Sequence, residues 1–441
     1  MSFYVFHLKF LVFLMDFLQK FSSALSMGKN EECFLALDIG TFSIKAAVFK
    51  IEPNADKKKA TAIILGAGKS LIKAENIKEE AFDELIESCC EAKKEAENMA
   101  GIETKKVILG VSGQLVKVQA SQEIFERKNF SRTISPAEIK GIVQKVQWKA
   151  LEKIRFHERE ENNISEKEIK IISGHILETK IDGYKAVNPV GFQGKELFFN
   201  ILNIYTFSSN LGFFRKLARA FGGRLEILTA GSYAILNAVS DKIFNANNLG
   251  EVSCFVIDCG GKITDVLLAC QGLISGPKTI SLGGESLNKR LKSKLYLTEA
   301  ESEKLKLEYS SGNLPEAIQK KVNEIIKGDL AIWLRGVEMA VSDFSFLEAM
   351  PALILFCGGG SLFPEMAMVL GDESWSKKFN FFQSAKVRVL EASDIAGIKD
   401  STGLLAGGEN IPILSLVNFG LNLTQRKSAL DSILGRVIRL M

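Results

Sequence analysis

The sequence predicts an α/β protein with two similar halves that face one cleft. Two hairpins of one type support this: residues 34–50, FLALDIGTFSIKAAVFK, and residues 255–269, FVIDCGGKITDVLLA, about 220 positions later. Each has an apolar strand, then Asp and Gly, then Thr and a second apolar strand. A third glycine turn, LFCGGGSLFPEM at 355–366, follows another apolar strand and precedes a predicted helix. Taken singly each segment is a turn; in this order they indicate one site.

The residue types in these turns suit an anion and a metal. Glycine has no Cβ, so backbone N–H groups can close around an anion. Asp258 lies where a buried strand ends and can hold Mg²⁺ through water, while Thr264 can bond a phosphate oxygen. The helix after the third turn presents free N–H groups to an anion or a flat ring. Together the three turns predict a nucleotide site.

Composition sets ordinary limits. A chain of 441 residues, 46% hydrophobic and 24% charged, can form two to four domains. A net charge of +4, without interleaved basic and aromatic residues, gives no support for nucleic-acid binding. Seven cysteines without a repeated C-x-x-C indicate a reducing compartment. The three histidines are remote from the cysteine pairs, so no metal site is predicted from them.

The first residues form an apolar extension. Thirteen of the sixteen residues from 3 to 18 are apolar, broken by His7, Lys9 and Asp16. The uninterrupted run is too short to span a bilayer, and no clear cleavage site follows. Two interpretations stay open: a start at Met15 or Met27, or an apolar helix lying on a surface.

The rest of the first half alternates strands and helices. A strand is predicted at 61–67, a helix at 79–100 from the spacing of its apolar residues, and a strand at 106–111. Residues 105–205 then form a distinct block with strands at 107–111, 115–121, 168–177 and 197–207 and a helix at 136–156. Helices at 212–222 and 230–243 lead to the central hairpin.

The second half adds a turn and basic helix at 281–295 and a long helix at 315–347. Between them, Glu303 and Lys306 lie one helical turn apart. They are either a surface ion pair, with a stabilisation of about 0.2–0.5 kcal/mol, or part of the site. The last element predicted for the globular body lies at 401–408. The next predicted element begins at residue 424.

The C-terminal segment, TQRKSALDSILGRVIRLM at 424–441, predicts a basic amphipathic helix after a linker at 411–423. Its apolar face carries Leu430, Ile433, Leu434, Val437, Ile438 and Met441, and its basic residues are Arg426, Lys427, Arg436 and Arg439. Such a helix suits the surface of an anionic membrane. The alternative is a helix packed on the globular body or on a partner protein.

These segments carry a family resemblance. DIGTFSIK looks like the first phosphate loop of the actin-like ATPase superfamily, DCGGKITD like its second, and FCGGGSLFP like its adenosine loop. Within the superfamily the chain resembles the FtsA family of bacterial cell-division proteins from about Cys33 onwards, and more distantly PilM of type IV pili. GYKAVNPVGFQGKEL at 183–197 resembles an FtsA-family stretch and favours that family.

The resemblance implies an actin-like two-lobed ATPase fold, with duplicated ribonuclease-H-like halves and an inserted small α/β (SHS2) domain. The implied domains are an extension at 1–32, a first lobe at 33–104, 206–248 and 400–410, the insertion at 105–205, a second lobe at 249–285 and 350–399, a small subdomain at 286–349, a linker at 411–423 and a membrane-targeting helix at 424–441.

The resemblance also implies a site and partners. Mg-ATP would lie between the lobes, with Asp38 and Asp258 orienting metal-bound waters and Lys45 as a counter-charge. The nucleotide-binding set would be Asp38, Gly40, Thr41, Lys45, Asp258, Gly260, Gly261, Thr264, Glu303, Lys306, Gly358, Gly359 and Gly360. The expected partners are the tubulin-like division protein FtsZ, further copies in a filament, and the cytoplasmic face of the cell membrane.

Hydrolysis is the least supported expectation. Lys262 and Ile263 replace a glycine and a threonine of the usual second loop. Glu226 is about one residue out of register with the Glu or Gln that orients water in relatives that hydrolyse ATP. Slow or absent turnover is therefore expected. Two alternatives remain: a PilM-like pilus scaffold, and a small-molecule kinase, for which no general base is evident.

Overall fold

The computed structural model describes residues 32–53, 60–72, 77, 82–162, 168–246, 249–425 and 428–440. The apolar stretch at 3–18 lies outside these residues. The strands are β1 Cys33–Ile39, β2 Ser43–Pro53, β3 Ala60–Leu71, β4 Lys106–Val111, β5 Lys117–Glu126, β6 Ile169–Ile181, β7 Tyr184–Lys185, β8 Glu196–Phe207, β9 Arg224–Ala230, β10 Cys254–Cys259, β11 Thr264–Cys270, β12 Leu273–Ile280, β13 Leu353–Cys357, β14 Lys386–Val389 and β15 Ile398–Asp400.

The α-helices of the same ranges are α1 Phe82–Ala100, α2 Pro136–Asn162, α3 Ser208–Ala220, α4 Gly231–Phe244, α5 Gly284–Leu295, α6 Glu299–Ser310, α7 Glu316–Ser342, α8 Pro364–Gly371, α9 Glu373–Ser376, α10 Ile411–Gln425 and α11 Ala429–Leu440. Short 3₁₀ turns lie at Leu249–Glu251, Gly359–Leu362, Ala392–Asp394 and Gly408–Asn410.

The first lobe is built on a sheet with the strand order β15-β3-β2-β1-β4-β9. Its central strand β1 is buried along almost its whole length, because the strand is apolar on both faces. β4 pairs in parallel with β1 on one side and with β9 on the other. The assignment of 106–111 to the inserted block is therefore wrong, because this strand lies inside the first lobe's sheet.

The second sheet runs in the order β14-β13-β10-β11-β12-β5-β8-β6-β7. β10 to β14 belong to the second lobe, and β5 to β8 belong to the insertion. The two parts meet at one antiparallel contact, where Ser275 and Gly276 of β12 pair with Gln119 and Val118 of β5. The insertion follows the first lobe in sequence but is hydrogen-bonded to the sheet of the second.

The predicted linker at 411–423 is also wrong. These residues form most of α10, whose apolar side chains are buried in the core of the first lobe. The buried residues are Ile411, Ile413, Leu414, Leu416, Val417, Phe419 and Leu421. The segment IPILSLVNFGLNL is mostly apolar, and its polar residues Ser415 and Asn418 are buried as well, which is the pattern of a helix enclosed by protein rather than that of a solvated connection.

The C-terminal helix α11 packs on the insertion. Leu430, Leu434 and Val437 are buried in one core cluster with side chains of α2, β6 and β8. The structure thus shows the second of the two arrangements left open by the sequence, a helix packed on the body. Across the described ranges, no helix has the length and apolar composition needed to cross a membrane.

Helix α1 lies unusually close to β3, and glycine makes this approach possible. A Cβ added at Gly68 would lie 2.2 Å from the backbone oxygen of Ala92, and one at Gly66 would lie 2.0 Å from that of Ala96. Both obstacles are backbone atoms, so a side chain cannot simply rotate away. The helix and the strand would have to separate.

We predict that Gly68→Ala lowers the free energy of unfolding by about 1–3 kcal/mol, the usual cost of overpacking a filled interface. The midpoint of urea unfolding, followed by circular dichroism, measures this loss. Gly141→Ala is the matched control, because an added Cβ there meets nothing within 4 Å. A Gly68→Ala protein as stable as this control would contradict the close packing of α1 on β3.

Candidate functional site

The two predicted hairpins meet at a crevice between the lobes. Asp38 lies near the end of β1 and Asp258 near the end of β10, and both are almost fully buried, at 7% and 6% exposed. Of the predicted site residues, those that line the crevice are Asp38, Gly40, Thr41, Lys45, Asp258, Gly260, Gly261, Glu303, Lys306, Gly358 and Gly359. Carboxylates 220 positions apart in sequence therefore share one small space.

Strand register brings the third glycine turn to the same place. β13 pairs in parallel with β10, with Asp258 opposite Cys357, so Gly358 follows directly beside the carboxylate. Gly358 has a φ of 89°, and a Cβ there would lie 2.4 Å from the Oδ1 atom of Asp258. Only glycine meets both requirements, because the left-handed backbone and the close approach each exclude a side chain.

The first two loops touch each other across the crevice. The backbone N–H of Lys262 donates to the Oγ1 atom of Thr41 at 3.2 Å. A Cβ at Gly261 would lie 2.3 Å from the Cβ of Phe42. The crevice has a volume of about 90 Å³, whereas pockets for organic ligands have about 300–1,000 Å³. The crevice is therefore smaller than the usual pocket for an organic ligand.

The carboxylates are costly to ionise in this environment. Burial raises the pKa of Asp38 to about 6, although the charge of Lys45 opposes the rise. Burial, with the nearby charges of Asp38 and Asp265, raises the pKa of Asp258 to about 8. A divalent cation would reverse both shifts, because it stabilises the ionised form.

Lys45 is the cation nearest to this pair. Its ammonium group donates to the backbone oxygen of Glu409. Removal from water lowers the pKa of Lys45, while the charge of Asp38 raises it and that of Lys69 lowers it further. Lys69, on β3, also lines the crevice and was not anticipated from the sequence. Two lysines thus provide positive charge where a polyphosphate would lie.

Asp265 is a structural member of the second hairpin. It lies opposite Asp258 in the β10–β11 register. Its carboxylate accepts the backbone N–H of Gly113 at 2.6 Å and the hydroxyl of Thr279 at 2.5 Å. Burial nevertheless raises the pKa of Asp265 to about 6. The bond to Gly113 links the loop after β4 to the second lobe, behind the crevice.

Two predicted nucleotide-binding residues have different places. Thr264 is fully buried, and its hydroxyl donates to the backbone oxygen of Leu282 at 2.7 Å and accepts the indole N–H of Trp333 at 2.9 Å. It therefore has no free position for a phosphate oxygen, and that expectation is corrected. Gly360 lies under the turn, where an added Cβ would be 2.3 Å from the Sγ atom of Cys259. Its role is close packing.

Glu303 and Lys306 form an ion pair at the wall of the crevice. The ammonium of Lys306 lies 2.6 Å from a carboxylate oxygen of Glu303, and Lys306 is only 7% exposed. Asn288 of α5 donates to the same carboxylate oxygen at 3.1 Å. The pair is therefore part of the crevice and not an isolated pair on an open surface.

The crevice also contains buried acceptor atoms that lack a hydrogen-bond partner in the described structure. These atoms are Oε2 of Glu285, Oδ1 of Asn288 and Oε2 of Glu409. Buried acceptors of this kind are rare and indicate an absent donor. Ribose hydroxyls, an amino group of a base and metal-bound waters are all donors, so the site fits a magnesium–nucleotide complex. No group of three metal-binding side chains occurs in the described ranges.

These acceptors were missed from the sequence. Glu285 and Asn288 lie in the first turns of α5, directly after Gly283, so a glycine turn before a helix was the available signal. No local sequence pattern indicates that Glu409 belongs to the site, because only the tertiary fold brings the 408–410 turn to the crevice.

Glu226, the nearest candidate for orienting an attacking water, lies elsewhere. It is on β9, where Arg224 donates to its carboxylate at 2.7 Å, and it does not line the crevice. In this structure Glu226 is therefore not placed to orient a water in the crevice.

Comparison with known proteins confirms the predicted resemblance. No family model matches the chain. The chain is 22% identical to the cell division protein FtsA of Streptococcus pneumoniae over 410 residues, which cover 86% of this chain and 83% of that protein. It is 24% identical to the FtsA of Bacillus subtilis over 303 residues, covering 67% of this chain and 62% of that protein.

A solved structure confirms the fold. The PilM–PilN type IV pilus biogenesis complex matches with a TM-score of 0.56 at 13% identity, covering 88% of this chain and 98% of that chain. The protein therefore has the actin-like α/β fold.

The raised pKa values predict how stability depends on pH. Folded protein keeps a proton on Asp258 up to about pH 8, whereas an unfolded chain releases it near pH 4. The folded state thus binds more protons in this window, so stability falls as pH rises. Without magnesium or nucleotide, we expect a lower urea midpoint at pH 8 than at pH 5.

Asp258→Asn should flatten this dependence and raise the midpoint at pH 8, since the amide carries no charge. The urea midpoint at both pH values, in a chelator, provides the comparison. If the urea midpoint of Asp258→Asn falls between pH 5 and pH 8 as steeply as that of the wild type, the pH dependence does not come from Asp258.

Proposed function

We propose that this protein is an FtsA-like actin homologue that binds Mg-ATP between its lobes and polymerises on the cytoplasmic face of the cell membrane. There it tethers the FtsZ-type tubulin homologue during cell division. The observation that carries the nucleotide part is the convergence of Asp38 and Asp258, with three glycine turns, on one crevice. The similarity to FtsA over most of the chain supports the role in cell division.

The side chains and backbone groups of the crevice have distinct roles in this proposal. The N–H groups of Gly40, Thr41 and Gly261 would bind phosphate oxygens, with Lys45 as counter-charge. The N–H of Gly260 already donates to the backbone oxygen of Ile263 at 2.9 Å, so Gly260 would border the phosphates without donating to them. Asp38 and Asp258 would accept hydrogen bonds from waters around the metal. Bound magnesium supplies charge neutralisation for the phosphates. Gly358 and Gly359, with Glu303 and Lys306, would border the adenosine.

Lobe opening gives the nucleotide a means of control. We propose that a bound nucleotide separates Thr41 from Lys262, which are bonded across the crevice, and so changes the angle between the lobes. In an actin-like subunit that angle sets the fit to the next subunit of a filament. With Glu226 remote from the site, the proposal is a binder with slow turnover at most.

The C-terminal helix is the proposed membrane contact. It presents Leu430, Ile433, Leu434, Val437 and Ile438 on one face, with Arg436 and Arg439 off that face. Each basic residue near an anionic surface contributes about 1 kcal/mol to binding. The FtsZ partnership and filament formation are proposed on the resemblance to FtsA alone.

We predict that Lys45→Ala weakens Mg-ATP binding by about 10- to 100-fold, the effect of losing one charge-assisted hydrogen bond. Isothermal titration calorimetry with Mg-ATP measures the change. Lys399→Ala, at an exposed position on β15, is the control. Equal affinities for the two variants, with both proteins folded, would remove Lys45 from the site.

A PilM-like cytoplasmic scaffold is the second candidate, favoured by the structural match to PilM. The two candidates differ in how the protein reaches the membrane, because the FtsA-like function needs the terminal helix. Deleting residues 423–441 should move the protein from the membrane fraction to the supernatant of lysed cells. Retention of the truncated protein on membranes, without FtsZ, would favour the scaffold.

A further inference from the structure

The apolar stripe of α11 is needed for two different contacts, one with the insertion and one with the proposed membrane. The residues proposed to enter a bilayer are those that pack on the insertion: Leu430, Leu434 and Val437 are 4%, 0% and 3% exposed. They lie in one cluster with Val143 and Val146 of α2. A helix cannot bury the same side chains in protein and in lipid simultaneously.

The packing surface is shaped for this helix. Gly174 of β6 leaves room for it, since an added Cβ would lie 2.9 Å from the Cδ1 atom of Ile438 and 3.2 Å from the Cδ2 atom of Leu434. Asp431 accepts the backbone N–H of Ile176 at 2.9 Å. This bond satisfies a donor of β6 at a point where β7 does not pair with the strand.

The start of the helix is fixed as well. The hydroxyl of Ser428 accepts the N–H of Asp431 at 2.9 Å and donates to its carboxylate at 2.8 Å. Ser428 thus caps the helix, and Asp431 bonds the sheet through its other carboxylate oxygen. Meanwhile the basic residues Arg436 and Arg439 are exposed on the packed helix. An anionic surface can attract these two charges before the apolar side chains leave the insertion.

We propose that the packing of α11 on the insertion is an autoinhibitory latch, in which β6 and α2 compete with an anionic lipid surface for the apolar stripe. This inference rests on the proposed membrane attachment and adds its regulation. Membrane binding then requires release, and the apparent affinity is the intrinsic affinity reduced by the fraction of released helix.

The first test weakens the latch without changing the helix. Gly174→Val places a branched side chain where Ile438 and Leu434 lie. Gly141→Val, on the same domain with open space around it, is the matched control. Co-sedimentation with vesicles of phosphatidylglycerol and phosphatidylcholine should show about tenfold higher apparent affinity for Gly174→Val. An affinity no higher than that of the control would overturn the latch.

The second test closes the latch covalently, within one protein. Gly174→Cys combined with Ile438→Cys places two thiols at positions that meet in the contact, since an added Cβ at 174 lies 2.9 Å from the Cδ1 atom of Ile438. The reduced protein should bind the vesicles, and the oxidised protein should lose about tenfold or more in affinity. Gly174→Cys alone, oxidised and reduced, controls for the native cysteines.

The outcomes separate the two proposals. Equal vesicle binding by the oxidised and reduced double variant overturns the latch and leaves membrane attachment standing. Failure of every form to bind, Gly174→Val included, overturns membrane attachment and the latch with it. Binding by the reduced form alone supports both.

Discussion

Burial of two carboxyl groups at the ends of facing strands is the constraint on which this architecture depends. Asp38 and Asp258 are withdrawn from water, and the charges of Asp38 and Asp265 raise the pKa of Asp258 further. The charge of Lys45 lowers the pKa of Asp38 and so offsets only part of the effect of burial. Three glycine turns keep side chains away from this space, and buried acceptors on Glu285 and Glu409 stay unpaired there. Charge and hydrogen-bonding capacity are thus left for a ligand that brings a metal cation and hydrogen-bond donors, as magnesium with a nucleotide would.

The hairpins and glycine turns could be predicted from the sequence because their signals are local. Thr264 could not be assigned, because its hydroxyl is claimed by Trp333, a residue 69 positions away. The sequence predicts a linker at 411–423, where the structure has the mostly apolar, buried helix α10. Glu409 enters the crevice only through tertiary folding. What the sequence lacks in each case is the identity of the distant neighbour.

The C-terminal helix shows a different limit. An amphipathic pattern specifies that one face leaves water, but a protein groove and a lipid surface satisfy it equally. The structure supplies the missing information as shape, since Gly174 admits Ile438 and Leu434, and as a hydrogen bond, since Ile176 donates to Asp431. Those two features make the packed arrangement specific. They also define where it can be opened.

The short junction between β5 and β12 has a mechanical consequence. Only Gln119 and Val118 pair with Ser275 and Gly276, yet this joins the insertion to the second lobe's sheet. If the lobes separate to admit a ligand, the hydrogen bonds between β5 and β12 must either break or move the insertion together with the second lobe. In the second case the helix α11, which packs on the insertion, moves with it.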